Sequence, residues 1–119
     1  MTVEEQLKNA GIDWDTTVKR FCGNQNLYLK FLKKFTEDET FRQLKEAWKK
    51  KDVEQTERSA HTLKGTCANL GITFLAGKSD CIVQAMRSPE KEECFEQEEL
   101  LSDCEREYMR IWTLLKELT

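Results

Sequence analysis

"DVEQTERSAHTLKGTCANLG", residues 52–71, decides the fold. Within it Val53, Thr56, Ala60, Leu63, Cys67 and Leu70 follow one another in alternating steps of three and four, the spacing that turns one seam of an α-helix toward its partners. Asp52, with Gln55 three residues on, has the form of an N-terminal cap, and Gly71 has the form of a C-terminal stop. The stretch therefore reads as one amphipathic helix with defined ends.

The same period continues on both sides. After Gly71, one side of a further helix carries Ile72, Leu75, Ser79, Ile82 and Met86. Before Asp52 the apolar stripe is Leu27, Tyr28, Phe31, Leu32 and Phe35, then Phe41, Leu44 and Trp48, with a second capping signal at Thr36 and Glu39, as expected of one long helix or two nearly collinear ones. Ser88 as cap and Pro89 as first helical residue are expected to open the last helix, whose seam is Leu101, Cys104, Tyr108, Ile111, Leu115 and Leu118. At the start of the chain, Thr2 and Glu5 cap a short helix ended by Gly11, and Asp13 caps another that closes near Gly23. No segment alternates as a half-buried strand would. The fold class is all-α: an antiparallel up-down-up-down four-helix bundle over about 24–118, with short additional N-terminal helices over about 1–23, in a single domain spanning 1–119.

Composition narrows the function. A length of 119 residues is that of one ordinary domain, and 34% charged residues with one proline and five glycines suit a soluble helical protein. The net charge of -3 comes from interspersed lysines and glutamates with no one-sided basic stripe, which argues against nucleic acid as a partner. No apolar run approaches the ~20 residues of a membrane span, and the start is too polar for a signal peptide, so the expected location is cytoplasmic. Five cysteines at irregular spacing, without a CxxC and with one histidine, read as reduced thiols and not as a zinc site. The glutamates at 90, 92, 93, 96, 98 and 99 are expected to be a solvated surface at a helix start, since they lack the spacing of a calcium loop.

The lone histidine, His61, lies well over 100° from the middle of the buried seam and is expected to reach solvent. Lys64 follows at i+3, where its ammonium can lie beside the imidazole, and Gly65 at i+4 removes the side chain that would cover the ring. Glycine inside a helix costs about 1 kcal/mol against alanine, so its presence one turn from the histidine asks for a reason. Clearance for an incoming group is one; close packing of another helix is the alternative. An exposed imidazole is largely neutral at pH 7 and offers a nitrogen lone pair, enough to accept a phosphoryl group, and a neighbouring ammonium would offset the charge acquired.

"AHTLKGTCANLG", with H-x-x-K-G and a second glycine ten residues after the histidine, closely resembles the histidine-containing phosphotransfer (HPt) domains of multistep two-component phosphorelays, and the upstream "GIDWDTTVKRFCGNQNLYLKFLKKF" is similar to the segment that leads into their bundle. The resemblance covers roughly Gly11 to Met86. It implies that His61 is the phosphoacceptor, Lys64 the supporting cation, Gly65 the clearance residue and Gly71 the turn that closes the helix. It implies transfer from the aspartyl phosphate of a response-regulator receiver domain and on to another receiver, without an ATP site or cofactor of its own and with Mg2+ supplied on the receiver. The partners it implies are receiver domains and a hybrid sensor histidine kinase, met as a monomer. At the position where several members carry a Gln or Glu near the histidine, this chain has Val83, with Gln84 beside it facing water by its register.

Docking of a receiver asks for an apolar surface with a polar rim. Ile12, Trp14 and Val18 are the apolar candidates if the second short helix lies across the bundle end, with burial of all three in the core as the alternative; Glu54, Glu57 and Arg58 are the rim, and Ala68 keeps the next turn small. The competing function is an adaptor that binds a receiver through the same face without accepting phosphate. An autonomous kinase or phosphatase is disfavoured by the absence of a Walker or glycine-rich nucleotide signature.

Overall fold

The computed structural model describes residues 1–118; Thr119, the last residue of the expected domain, lies outside the described residues. Side-chain caps set most helix starts. Thr2 accepts from the Glu5 N–H ahead of α1 (Val3–Asn9), Asp13 from Thr16 ahead of α2 (Trp14–Arg20), Asn24 from Leu27 ahead of α3 (Gln25–Phe35), and Asp52 from Gln55 ahead of α5 (Val53–Asn69). The remaining helices are α4 (Thr40–Lys49), α6 (Thr73–Arg87) and α7 (Glu98–Glu117), with a 3-10 turn at Glu93–Glu96. No strand occurs among the described residues, and none of their helices is long and apolar enough to cross a membrane.

Cross-helix contacts give the topology. Lys64 on α5 meets Asp80 on α6 and Glu57 meets Arg87, so as one number rises the other falls and the two helices run antiparallel. Thr36 at the end of α3 accepts from Trp112 of α7, and Lys45 of α4 pairs with Glu105, which sets α7 antiparallel to α3 and α4 in turn. Ser79 of α6 lies against Cys104 of α7, and Ala85 against Cys94, antiparallel again. With α4 reversing into α5 across Lys50–Asp52, the chain is the expected up-down-up-down bundle, preceded by the two short helices. The expected seam of α5 is buried apart from a half-exposed Val53, and Ile72, Leu75, Ser79, Ile82 and Met86 of α6 all face the core.

Three boundary and burial expectations are corrected. Thr36 and Glu39 do not form a capping box: Thr36 closes α3, its hydroxyl donating to the Lys33 carbonyl, and Asp38 accepts from the Thr40 N–H to start α4. The short Asp38 side chain reaches the backbone two residues on and competes with helix continuation, so the stripe is two helices. Ser88 and Pro89 do not open the last helix. Ser88 ends α6 by donating to the Ala85 carbonyl, and the chain turns repeatedly so that Cys94 and Phe95 are buried, Phe95 edge-on to Trp48 with ring centroids 5.0 Å apart. The six glutamates of this region are exposed and straddle turn, 3-10 segment and first turn of α7. In α3, only Tyr28, Leu32 and Phe35 of the stripe are buried; Leu27 and Phe31 stay exposed because the stripe is wider than the face that meets the bundle.

The junction of α5 and α6 fixes the level of the histidine. Gly71 takes φ +76 and Ile72 donates back to the Cys67 carbonyl, while Gly71 donates to Ala68, the paired bonds of a Schellman end. Arg20 of α2 donates to the carbonyls of Ala68 and Asn69, and the Tyr28 hydroxyl donates to that of Leu70. The orphan carbonyls of α5 are thus taken by side chains of α2 and α3. Burial pushes the Tyr28 hydroxyl up to about 12, so it stays a donor at physiological pH.

Candidate functional site

His61 is exposed on the outer face of α5, with Ala60 fully buried beside it and Leu63 nearly so. No hydrogen bond among the described residues engages the imidazole, whose neighbours bond to one another instead. The ring lies in a shallow depression shared with Glu54, Glu57, Arg58, Thr62 and Arg87. Each arginine there is matched by a carboxylate: Arg58 donates to Glu54 at 2.8 Å along α5, and Arg87 reaches from α6 to Glu57 through Nη2 at 2.7 Å and Nε at 2.9 Å. Both carboxylates stand within two turns N-terminal to His61, so the local charge is compensated before any anion arrives.

Gly65 is exposed one turn beyond the ring, and a Cβ built on it would meet nothing within 4 Å. Close packing of another helix among the described residues is therefore not its reason, and the surface at Gly65 is open. Ala68 continues the low, exposed surface by another turn. Gly65→Ala is expected to raise stability by about 1 kcal/mol, roughly 4 °C in thermal midpoint, because a helical, unobstructed glycine carries only its propensity cost. Thermal unfolding checks this; a fall in the midpoint would mean that the glycine is needed by the fold.

Lys64, whose position at i+3 lets its ammonium lie beside the imidazole, makes its contact with the neighbouring helix. It crosses to α6, where Nζ donates to Asp80 Oδ1 at 2.9 Å, and Gln84 Nε2 donates to the same oxygen at 3.3 Å. The Lys64 ammonium, with the Gln84 amide adding to it, holds the Asp80 carboxyl below the usual carboxylate range. Val83 is fully buried and Gln84 exposed, so α6 keeps the register its sequence implies and sends neither side chain to the imidazole.

The other residues singled out in the sequence separate. Ile12 and Trp14, expected on the docking face, are each only 4% exposed and belong to the core. The Asp13 N–H donates to the Gly71 carbonyl, which clamps the start of α2 onto the α5–α6 turn and drives Trp14 inward against Tyr28, ring centroids 5.3 Å apart. Val18 is half-buried against the same core. Arg58 and the half-buried Glu57 remain at the rim beside His61.

Asp80 and Arg87 were not found by sequence reasoning. The signal for both was the pivot at Ile72: Lys64 and Asp80 each stand eight residues from it, Glu57 and Arg87 each fifteen, so a tight antiparallel reversal sets each pair side by side.

A family model described as the Hpt domain matches residues 31–116, which take in all of α4 to α6, the C-terminal end of α3 and most of α7. The chain belongs to the Hpt domain family. Comparisons with curated proteins and with solved structures each give no match. The Hpt domain has a histidine phosphotransfer role in phosphorelays, as an intermediate and not as a classical enzyme, and its kind interacts with response-regulator receivers. The single histidine of this Hpt domain lies inside the matched region, on the exposed face of its central helix.

Proposed function

We propose that His61 accepts a phosphoryl group from the aspartyl phosphate of a receiver domain and passes it to a second receiver. One observation carries this reading: the only imidazole of the sequence stands exposed, without a hydrogen bond among the described residues, one turn from Gly65, where a Cβ would meet nothing within 4 Å. In the transfer, the bond from the imidazole nitrogen farther from the backbone to phosphorus forms as the bond from phosphorus to the aspartyl oxygen breaks. The electron pair of that broken bond stays on the carboxylate, and the second transfer reverses these roles. In this reading the receiver docks on the exposed face of α5, with Glu57, Arg58 and Ala68 at its edge.

Lys64 supports the charge acquired at His61, and Gly71 fixes the level at which α5 ends and so the height of the ring above α2. Mg2+ belongs, in this reading, to the receiver. The Hpt domain acts as a cytoplasmic monomer between a hybrid sensor kinase and its receivers.

Intact-mass spectrometry at neutral pH, after mixing with phosphorylated receivers and Mg2+, tests the reading. One acid-labile phosphoryl group is expected on the wild-type chain. Lys64→Ala is expected to reach the same product about tenfold more slowly, since one charge-assisted contact is worth about 1.4 kcal/mol in the transition state. Receivers that bind but leave no phosphoryl group across a broad panel would instead establish a silent adaptor.

A further inference from the structure

The Lys64–Asp80 pair has a consequence for how His61 gains its phosphoryl group, and this inference rests on the reading of His61 as phosphoacceptor. We propose that Asp80 is a positioning residue: its carboxylate keeps the Lys64 ammonium drawn to α6 in the unphosphorylated protein and yields it to the phosphoryl group as that group arrives at His61.

Three observations carry this. First, the pair is solvent-facing, with 43% of the Lys64 side chain and 37% of the Asp80 side chain exposed, so it is of the weak class that a stronger competitor can break. A phosphoryl group, carrying up to about two negative charges and three acceptor oxygens, is such a competitor for an ammonium one helical turn away. Second, Gln84 already donates to the oxygen of Asp80 that Lys64 uses, so the carboxylate keeps a hydrogen-bond donor when the ammonium leaves. Third, the two cations that line the depression are each held by a carboxylate of α5. Arg87 engages Glu57 through two nitrogens, and Arg58 pairs with Glu54 within its own helix. Lys64 is held by one hydrogen bond on a flexible stem, against the two nitrogens that bind Arg87 to Glu57.

In this arrangement Asp80 competes with the incoming phosphoryl group, and Lys64 is the object of the competition. Removing the Asp80 charge should speed phosphorylation only while Lys64 is present. The test uses phosphoramidate, a small phosphoryl donor that needs no receiver. The imidazole nitrogen bonds to phosphorus as the P–N bond of the donor breaks, and ammonia departs with the electron pair of that bond and a proton. Phosphorylation rates are followed by intact mass for the wild type, Asp80→Asn, Asp80→Glu, Lys64→Ala and the Lys64→Ala/Asp80→Asn double variant. Glu105→Gln serves as the charge control, since Glu105 pairs with Lys45 across α4 and α7 away from the histidine.

Asp80→Asn is expected to react about threefold to fivefold faster than wild type, the scale of an exposed charge pair. Asp80→Glu and Glu105→Gln should match wild type, and the double variant should stay within twofold of Lys64→Ala. An Asp80→Asn rate equal to or below wild type overturns the proposal. So does an equal acceleration in the Lys64→Ala background, which would make Asp80 a simple repulsive charge. Failure of His61 to react with phosphoramidate at all removes the process that Asp80 is proposed to govern and overturns it too. A wild-type chain that reacts with phosphoramidate but with no receiver would sink the relay reading alone, leaving the Asp80 comparison decided by its own rates.

Discussion

His61→Gln is expected to abolish phosphoryl acceptance completely while leaving the fold unchanged. The imidazole is exposed, makes no hydrogen bond among the described residues, and sits opposite the buried seam of α5, so its removal creates neither a cavity nor an unpaired buried group. Surface substitutions of this kind stay within about 0.5 kcal/mol, or roughly 2 °C in thermal midpoint for a chain of this size. Glutamine keeps an amide near the position of the ring nitrogen but offers no lone pair of comparable nucleophilicity. Intact mass and thermal unfolding of the same preparation check both halves. An acid-labile phosphoryl group retained on the variant would place the acceptor elsewhere, and an unfolded variant would show that the ring is part of the core.

Gly71→Ala is expected to be strongly destabilising. Two costs add at this position. The backbone holds φ +76, a conformation that costs an L-residue about 1 to 2 kcal/mol. A Cβ there would overlap the Thr17 hydroxyl, approach the Asp13 carbonyl oxygen to 2.9 Å and press on the Tyr28 hydroxyl at 3.1 Å. Thr17 and Tyr28 are fully buried, and Asp13 is tied through its own N–H to the Gly71 carbonyl, so none of these atoms can simply move aside. Overpacking of this kind costs about 1 to 3 kcal/mol more. The expected total of about 3 kcal/mol lowers the thermal midpoint by roughly 10 °C. Because α2 is anchored at this turn, the loss should come with weaker amide protection in α2 and at the end of α5, which hydrogen exchange would show. A midpoint within 2 °C of wild type would mean that α2 is not held by this junction. The opposite signs expected for Gly71→Ala and Gly65→Ala follow from one difference, a crowded left-handed turn against an open helical surface.

How far the sequence reached depends on the range of the interaction in question. The caps at Thr2, Asp13 and Asp52 involve atoms three residues apart, so local spacing was enough to find them. Where two local devices competed, spacing alone misled. Thr36 and Glu39 have the right separation for a cap, but Asp38 reaches the Thr40 amide first, and Ser88 bonds backward to Ala85 instead of forward. The exposure of His61 was legible for a related reason: a helix with one continuous seam has only one face left for water, and His61 is on it.

The sequence by itself determined the helical seams, the bundle order and the exposure of the one histidine, because each is written in periodicity along one segment. Only the tertiary structure decided what surrounds the nucleophile. Ile12 and Trp14 look like docking residues until the fold buries both, with the bond from the Asp13 N–H to the Gly71 carbonyl holding the start of α2 against the α5–α6 turn. The partner of the Lys64 ammonium is not visible until Asp80 offers a carboxylate from the next helix, and Arg87 has no visible relation to His61 until α6 folds back along α5. A helix fixes where a side chain leaves the backbone. For a lysine or an arginine, with a long stem and a charge at its end, where it arrives is settled by whichever opposite charge the packed neighbour brings within reach.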